Sequence, residues 1–139
     1  MALETRKRIA LLFVAATATI LLFSCGAKST SIEERISDFV TSLNGNRSDT
    51  HTNLDPSTAA YSTADATFWN NSIFGPSTNG PFTYAPNPPN TTTPSDVEIT
   101  ISDNIGPVGL FKFVMVNIGS SSDNWVINDI QRIPGGTLF

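Results

Sequence analysis

Val97-Glu98-Ile99-Thr100-Ile101-Ser102 alternates apolar and polar side chains without a break. A period of two puts Val97, Ile99 and Ile101 on one face of a strand and Glu98, Thr100 and Ser102 on the other, one face buried and one wet. Residues 104–107, Asn-Ile-Gly-Pro, turn the chain. Residues 108–118 are then apolar on both faces apart from Lys112 and Asn117, the composition of a longer strand in the middle of a sheet. A second turn occupies residues 119–124, and residues 125–133 make the last strand. Its apolar residues slip from Trp125 and Ile127 to Ile130, a change of parity that predicts a bulge near Asn128 or Asp129. Strands joined by short turns read as an antiparallel meander.

Upstream of the meander the period changes. Ser31 and Glu34 form an S-x-x-E capping box, and Ile32, Ile36, Phe39, Val40 and Leu43 then recur at helical spacing until Asn44-Gly45. Residues 46–63 are rich in Ser, Thr, Asp and Asn, with Leu54 and Tyr61 available to pin short helical turns. Thr63 is placed to cap a second helix over residues 64–74, which carries Phe68, Trp69, Ile73 and Phe74 and ends at Gly75-Pro76. Residues 82–85 read as a brief edge strand, and residues 86–95, with four prolines and three threonines, as an exposed loop. The fold class is therefore α+β, helices first and sheet second, with Trp125, Ile127 and Val114 expected against Phe39 and Val40.

The start of the chain has a different character. Arg6, Lys7 and Arg8 outnumber Glu4, and residues 9–23 follow as fifteen residues without charge or proline. That is the length of a signal-peptide core and short of the roughly 20 residues a hydrocarbon span requires. The only cysteine, Cys25, comes directly after Leu22-Phe23-Ser24. The segment resembles a bacterial lipoprotein signal peptide, with Leu22 and Ser24 matching the lipobox and Phe23 departing from the small residue usual at that point. The resemblance implies cleavage between Ser24 and Cys25, a diacylglyceryl thioether on the Cys25 sulfur and acylation of the new amino terminus. Each buried methylene contributes about 0.8 kcal/mol, so two or three acyl chains hold a protein stably where one does not. Two other readings stay open: soluble export after cleavage at Gly26, and an uncleaved span running through Ala27.

On the lipoprotein reading residues 1–24 are signal peptide, 25–31 the lipidated cysteine with a short polar tether, and 32–139 a single α+β domain. Cleavage leaves five basic and eleven acidic residues, a net charge of −6. This composition argues against nucleic acid and against attraction to an anionic bilayer, so membrane contact would run through the lipid on Cys25. No cysteine remains for a disulfide or thiolate metal site. Gly26 in place of an aspartate after the cysteine favours the outer membrane, or the periplasmic face, over retention at the inner membrane.

The mature chain resembles small secreted lipoproteins of the NTF2-like or cystatin-like α+β fold. Trp125-Val126-Ile127-Asn128-Asp129-Ile130 carries the W-x-I-x-x-I pattern of their final strand, and Phe39-Val40-Thr41-Ser42-Leu43 with Asn44-Gly45 suits their leading helix. The resemblance spans residues 31–133 and implies helices packed on a curved antiparallel sheet; it implies no activity.

Candidate chemistry is sparse. His51 lies near Asp49 and Asp55, but Ser-Asp-Thr-His-Thr-Asn reads as a solvated loop with no apolar residue to orient an imidazole, and no catalytic residue is assigned. Asp96, Glu98 and Asp103 carry oxygen ligands for a hard cation, yet alternation turns Asp96 and Glu98 outward together and no D-x-D-x-D-G loop is present, so no metal site is assigned. Phe68, Trp69 and Tyr84 are a candidate pocket for a small apolar or sugar ligand, with core packing as the ordinary alternative. No nucleophile elbow, phosphate-cradling glycine loop or metal-binding His pair occurs, and no cofactor is implied. Three functions are ranked in order: a lipid-anchored binding or assembly module acting on an envelope protein or small ligand, a structural envelope lipoprotein, and a small NTF2-like enzyme.

Overall fold

The computed structural model describes residues 30–86, 95–119 and 124–139. Cys25 and Ser24, the whole signal segment and most of the proline-rich loop lie outside the described residues.

Helix α1 spans Ile32–Asn44 and begins as its capping box directs. The Glu34 amide donates to Ser31 Oγ at 3.1 Å, and the Ser31 amide donates to Glu34 Oε2 at 3.1 Å, satisfying two N–H groups that have no partner inside the helix. Its buried face is Ile36, Phe39, Val40 and Leu43. The helix stops at Asn44, but Gly45 closes it without a left-handed angle, its φ being −106°. Asn44 instead ties the helix end to the sheet: its side-chain amide donates to the Phe82 carbonyl at 2.8 Å and its Oδ1 accepts from the Phe82 amide at 2.6 Å.

Between α1 and the sheet the chain makes a 3-10 helix (Arg47–Asn53), helix α2 (Ala59–Thr63), helix α3 (Ala66–Asn71) and a second 3-10 turn (Ser77–Asn79). The single helix expected over residues 64–74 is thus shorter and starts later. Asp65, not Thr63, is its cap, accepting from the Phe68 amide at 2.8 Å. Thr63 belongs to the preceding element, where its hydroxyl donates to the Ala59 carbonyl at 3.1 Å.

The sheet has four antiparallel strands in the order β1 (Thr83–Pro86), β2 (Asp96–Ser102), β3 (Pro107–Asn117) and β4 (Trp125–Ile133). It is the expected meander, with β1 at one edge and the long β3 inside. The expected bulge is present: Val114 pairs with Asp129 and Met115 with Ile127, so Asn128 has no opposite number. On β3 the inward residues are Phe111, Phe113 and Met115, all buried. Val114 falls between Phe113 and Met115 and therefore projects from the other face, half-buried and away from α1, which corrects the expectation that it meets Phe39. Ile127 is fully buried in the core, and Trp125 packs on its margin.

Three separate segments cover the free edge of β4. The Trp125 amide donates to Thr30 at 3.1 Å, the Asp55 amide donates to the Ile127 carbonyl at 2.8 Å, and the Leu138 amide donates to the Ile130 carbonyl at 2.9 Å. A bare edge is a template for unwanted pairing, and here these backbone groups of the edge are occupied within the chain. Apart from Val126, the buried apolar residues among those described form one contiguous cluster between α1 and the sheet, with Phe39, Trp69, Phe74, Phe111 and Phe113 at its centre. The sheet face under α1 is filled with side chains.

Candidate functional site

The 3-10 helix Arg47–Asn53 organises the polar part of the molecule. Three residues per turn bring positions three apart onto one line. Arg47, Thr50 and Asn53 share the inward line and are buried, whereas Ser48 and His51 share the next one and face a cleft. Asn46 starts the turn by accepting from the Ser48 amide at 3.3 Å.

The inward line is anchored by charge. Arg47 Nε donates to the Leu43 carbonyl at 3.0 Å, and Nη1 donates to Asn70 Oδ1 at 2.8 Å and to the Gly75 carbonyl. The guanidinium lies 5.6 Å from the centroid of the Phe82 ring. Arg47 has no carboxylate partner among the described residues, and burial pushes its pKa below the ordinary arginine value. Arg47 Nη2 and the Thr50 hydroxyl are buried without a partner. Arg35 works similarly from α1, with Nε donating to the Trp125 carbonyl at 2.7 Å and Nη1 to Asn53 Oδ1 at 3.3 Å.

The cleft, about 350 Å³ in volume, is lined by Ser48 and His51, by Tyr61 and Ser62 of α2, and by Ala64 and Asp65 at the start of α3. His51 is held from two sides. Its Nδ1 lies 2.7 Å from the Ser48 carbonyl, and its ring meets Tyr61 edge-on with centroids 5.3 Å apart. A carbonyl oxygen carries no proton, so in the neutral ring Nδ1 is the donor and Nε2 keeps a free lone pair. His51 lies on a 3-10 helix and not in a loop, and it has orienting groups that the local sequence lacks: the backbone of its own turn and an aromatic ring ten residues on. Neither nearby carboxylate engages the imidazole. Asp49 accepts from Asn46 Nδ2 at 2.9 Å, and the buried Asp55 accepts from the Ser57 amide at 2.8 Å. The Ser62 hydroxyl donates to the Ala59 carbonyl at 3.0 Å, not to His51.

The three residues of the candidate pocket occupy three different settings. Trp69 is fully buried in the core, its indole N–H donating to the Ala64 carbonyl at 2.9 Å. Phe68 is half-buried and lines a shallow depression with Ile73 and Leu138 that includes neither Trp69 nor Tyr84. Tyr84 packs on the margin of the core from β1, opposite Ile101. Asp96 and Glu98 project together from the outer face of β2, where Asp96 Oδ2 lies 3.4 Å from Lys112 Nζ and Glu98 pairs with Lys112 across the strands. Asp103 sits in the β2–β3 turn. Among the described residues no group of three or more His, Cys, Asp or Glu is arranged to hold a metal ion.

No protein-family model matches the chain, and neither a curated protein nor a solved structure matches it.

Proposed function

We propose that the protein is a lipid-anchored domain of the bacterial cell envelope, acting as a non-catalytic binding or assembly module. The observation that carries this reading is Cys25, which ends a basic start and a charge-free run five residues before Thr30. Thr30 accepts from the Trp125 amide, so the fold begins at the β4 edge almost immediately after the anchor point. No helix among the described residues is long and apolar enough to cross a membrane. One amphipathic helix on one face of a four-stranded meander supports the NTF2-like or cystatin-like assignment. Because the face under α1 is filled, this reading looks for the binding surface elsewhere, and the His51–Tyr61 cleft is a recess with oriented polar groups.

Metabolic labelling with a fatty-acid analogue tests the anchor. The wild-type protein takes label and Cys25→Ser does not; equal label on both overturns the reading. Density-gradient fractionation of membranes then places the labelled protein, with the outer membrane expected because Gly26 follows Cys25.

A further inference from the structure

The His51–Tyr61 cleft combines two fixed acceptors, His51 Nε2 and the Asp65 carboxylate, with the Ser48 and Tyr61 hydroxyls, which can donate or accept. Nε2 of the neutral imidazole has its lone pair free because Nδ1 is committed to the Ser48 carbonyl. Asp65 uses Oδ1 to cap α3 through the Phe68 amide, which leaves its second oxygen and the negative charge on the cleft wall. Tyr61 is 36% exposed and offers both a phenol oxygen and an aromatic face. The lining contains no lysine or arginine. An anion meets uncompensated carboxylate here, and a neutral polyol leaves that charge unpaired. A compact cation that brings N–H donors satisfies the acceptors, the charge and the π face together.

We infer that this cleft takes the ammonium or guanidinium group of a cationic ligand. The inference rests on the binding-module reading and gives that module its ligand chemistry. It also accords with the acidic balance of the domain, which raises the local concentration of cations around it. The cation has two sources, a free amine and a lysine or arginine side chain of a partner protein, and separate probes distinguish them.

The test is an NMR titration of the full-length protein in detergent with cadaverine, with N-acetyl-lysine methylamide, with N-acetyl-arginine methylamide, and with methyl glucoside as the uncharged control. Resonances of Ser48, His51, Tyr61 and Asp65 should move with the cations at millimolar concentrations and stay still with the glucoside. A stronger response to the amino-acid amides identifies a partner side chain as the source, and a stronger response to cadaverine a free amine. Asp65→Asn keeps an oxygen to cap α3 and removes the charge, and Tyr61→Leu removes the π face while keeping an apolar side chain. Each should weaken the cation response by about fivefold, the scale of one exposed charge or cation–π contact. A response to the glucoside alone overturns the cation assignment and leaves a binding cleft standing. No response to any probe, or a cation response unchanged in Asp65→Asn, overturns the inference outright.

Discussion

Phe39 of α1 meets Phe113 of β3 edge-on, with ring centroids 5.5 Å apart and planes at 77°. The same Phe39 ring stands 5.3 Å from Trp69 in a second edge-on contact and 6.4 Å from Phe74. One side chain thereby joins the leading helix, the sheet and the short helix α3. This arrangement suits the aromatic quadrupole, whose positive edge sits on a neighbour's negative face.

Phe39→Ala should cost about 3–5 kcal/mol, because the filled surroundings cannot collapse into the space left behind. Against a typical domain stability of about 5–15 kcal/mol that is a large fraction. Urea unfolding monitored by tryptophan fluorescence reads it as a fall in the transition midpoint. A cost below about 1 kcal/mol would show that α1 is peripheral to the fold.

The parts of this architecture that were legible beforehand are those with a strong apolar period. The capping box of Ser31 and Glu34, the alternation from Val97 to Ile101 and the slip between Ile127 and Ile130 each correspond to an element or irregularity in the structure. Val114 falls on the outer face against expectation because residues 108–118 are apolar at both parities apart from Lys112 and Asn117, and composition cannot tell which parity faces the helix. The segment between α1 and α3 was legible in part: Leu54 and Tyr61 mark the 3-10 helix and α2, the short helical turns expected there, but the line that the 3-10 helix buries carries no apolar signal. That line is polar, Arg47, Thr50 and Asn53, and it repeats every three residues, so it leaves no apolar period at helical spacing. The cleft depends on His51 meeting Tyr61 across a turn, a juxtaposition that no local pattern encodes. The spacing of Asn46, Arg47, Thr50 and Asn53 was the available signal for the 3-10 turn.

Arg47 should be a stability determinant despite being a buried charge. Replacing a whole buried ionic cluster with apolar residues is often neutral, because every polar partner leaves together. Here the partners are the Leu43 and Gly75 carbonyls and Asn70, which stay behind when the guanidinium is removed. Arg47→Met should therefore destabilise by about 3 kcal/mol, and Arg47→Lys by about 1–2 kcal/mol, since a single ammonium cannot reproduce the planar fork. Chemical denaturation of the two variants measures both. A neutral Arg47→Met would mean that the stranded acceptors find other donors and that the inward line contributes nothing.

The β2–β3 turn should be acid-sensitive through Asp103. Its Oδ1 accepts from the Gly106 amide at 2.9 Å and from the Ile105 amide at 2.8 Å, and these bonds, that from Gly106 first, hold the carboxyl below its ordinary pKa. A carboxyl whose folded pKa is depressed contributes its stabilisation fully above the unfolded value of about 3.9 and loses it as pH falls through the lower folded value. Amide protection at Ile105 and Gly106 should therefore hold at neutral pH and decline only below about pH 4. Asp103→Asn keeps an acceptor oxygen and removes the proton equilibrium, so the acid dependence of the turn should disappear while the turn itself persists. Carbon-detected NMR titration of the Asp103 carboxyl gives the decisive reading: a midpoint below the ordinary aspartate value supports the two bonds, and a midpoint at or above it shows that they do not form in solution.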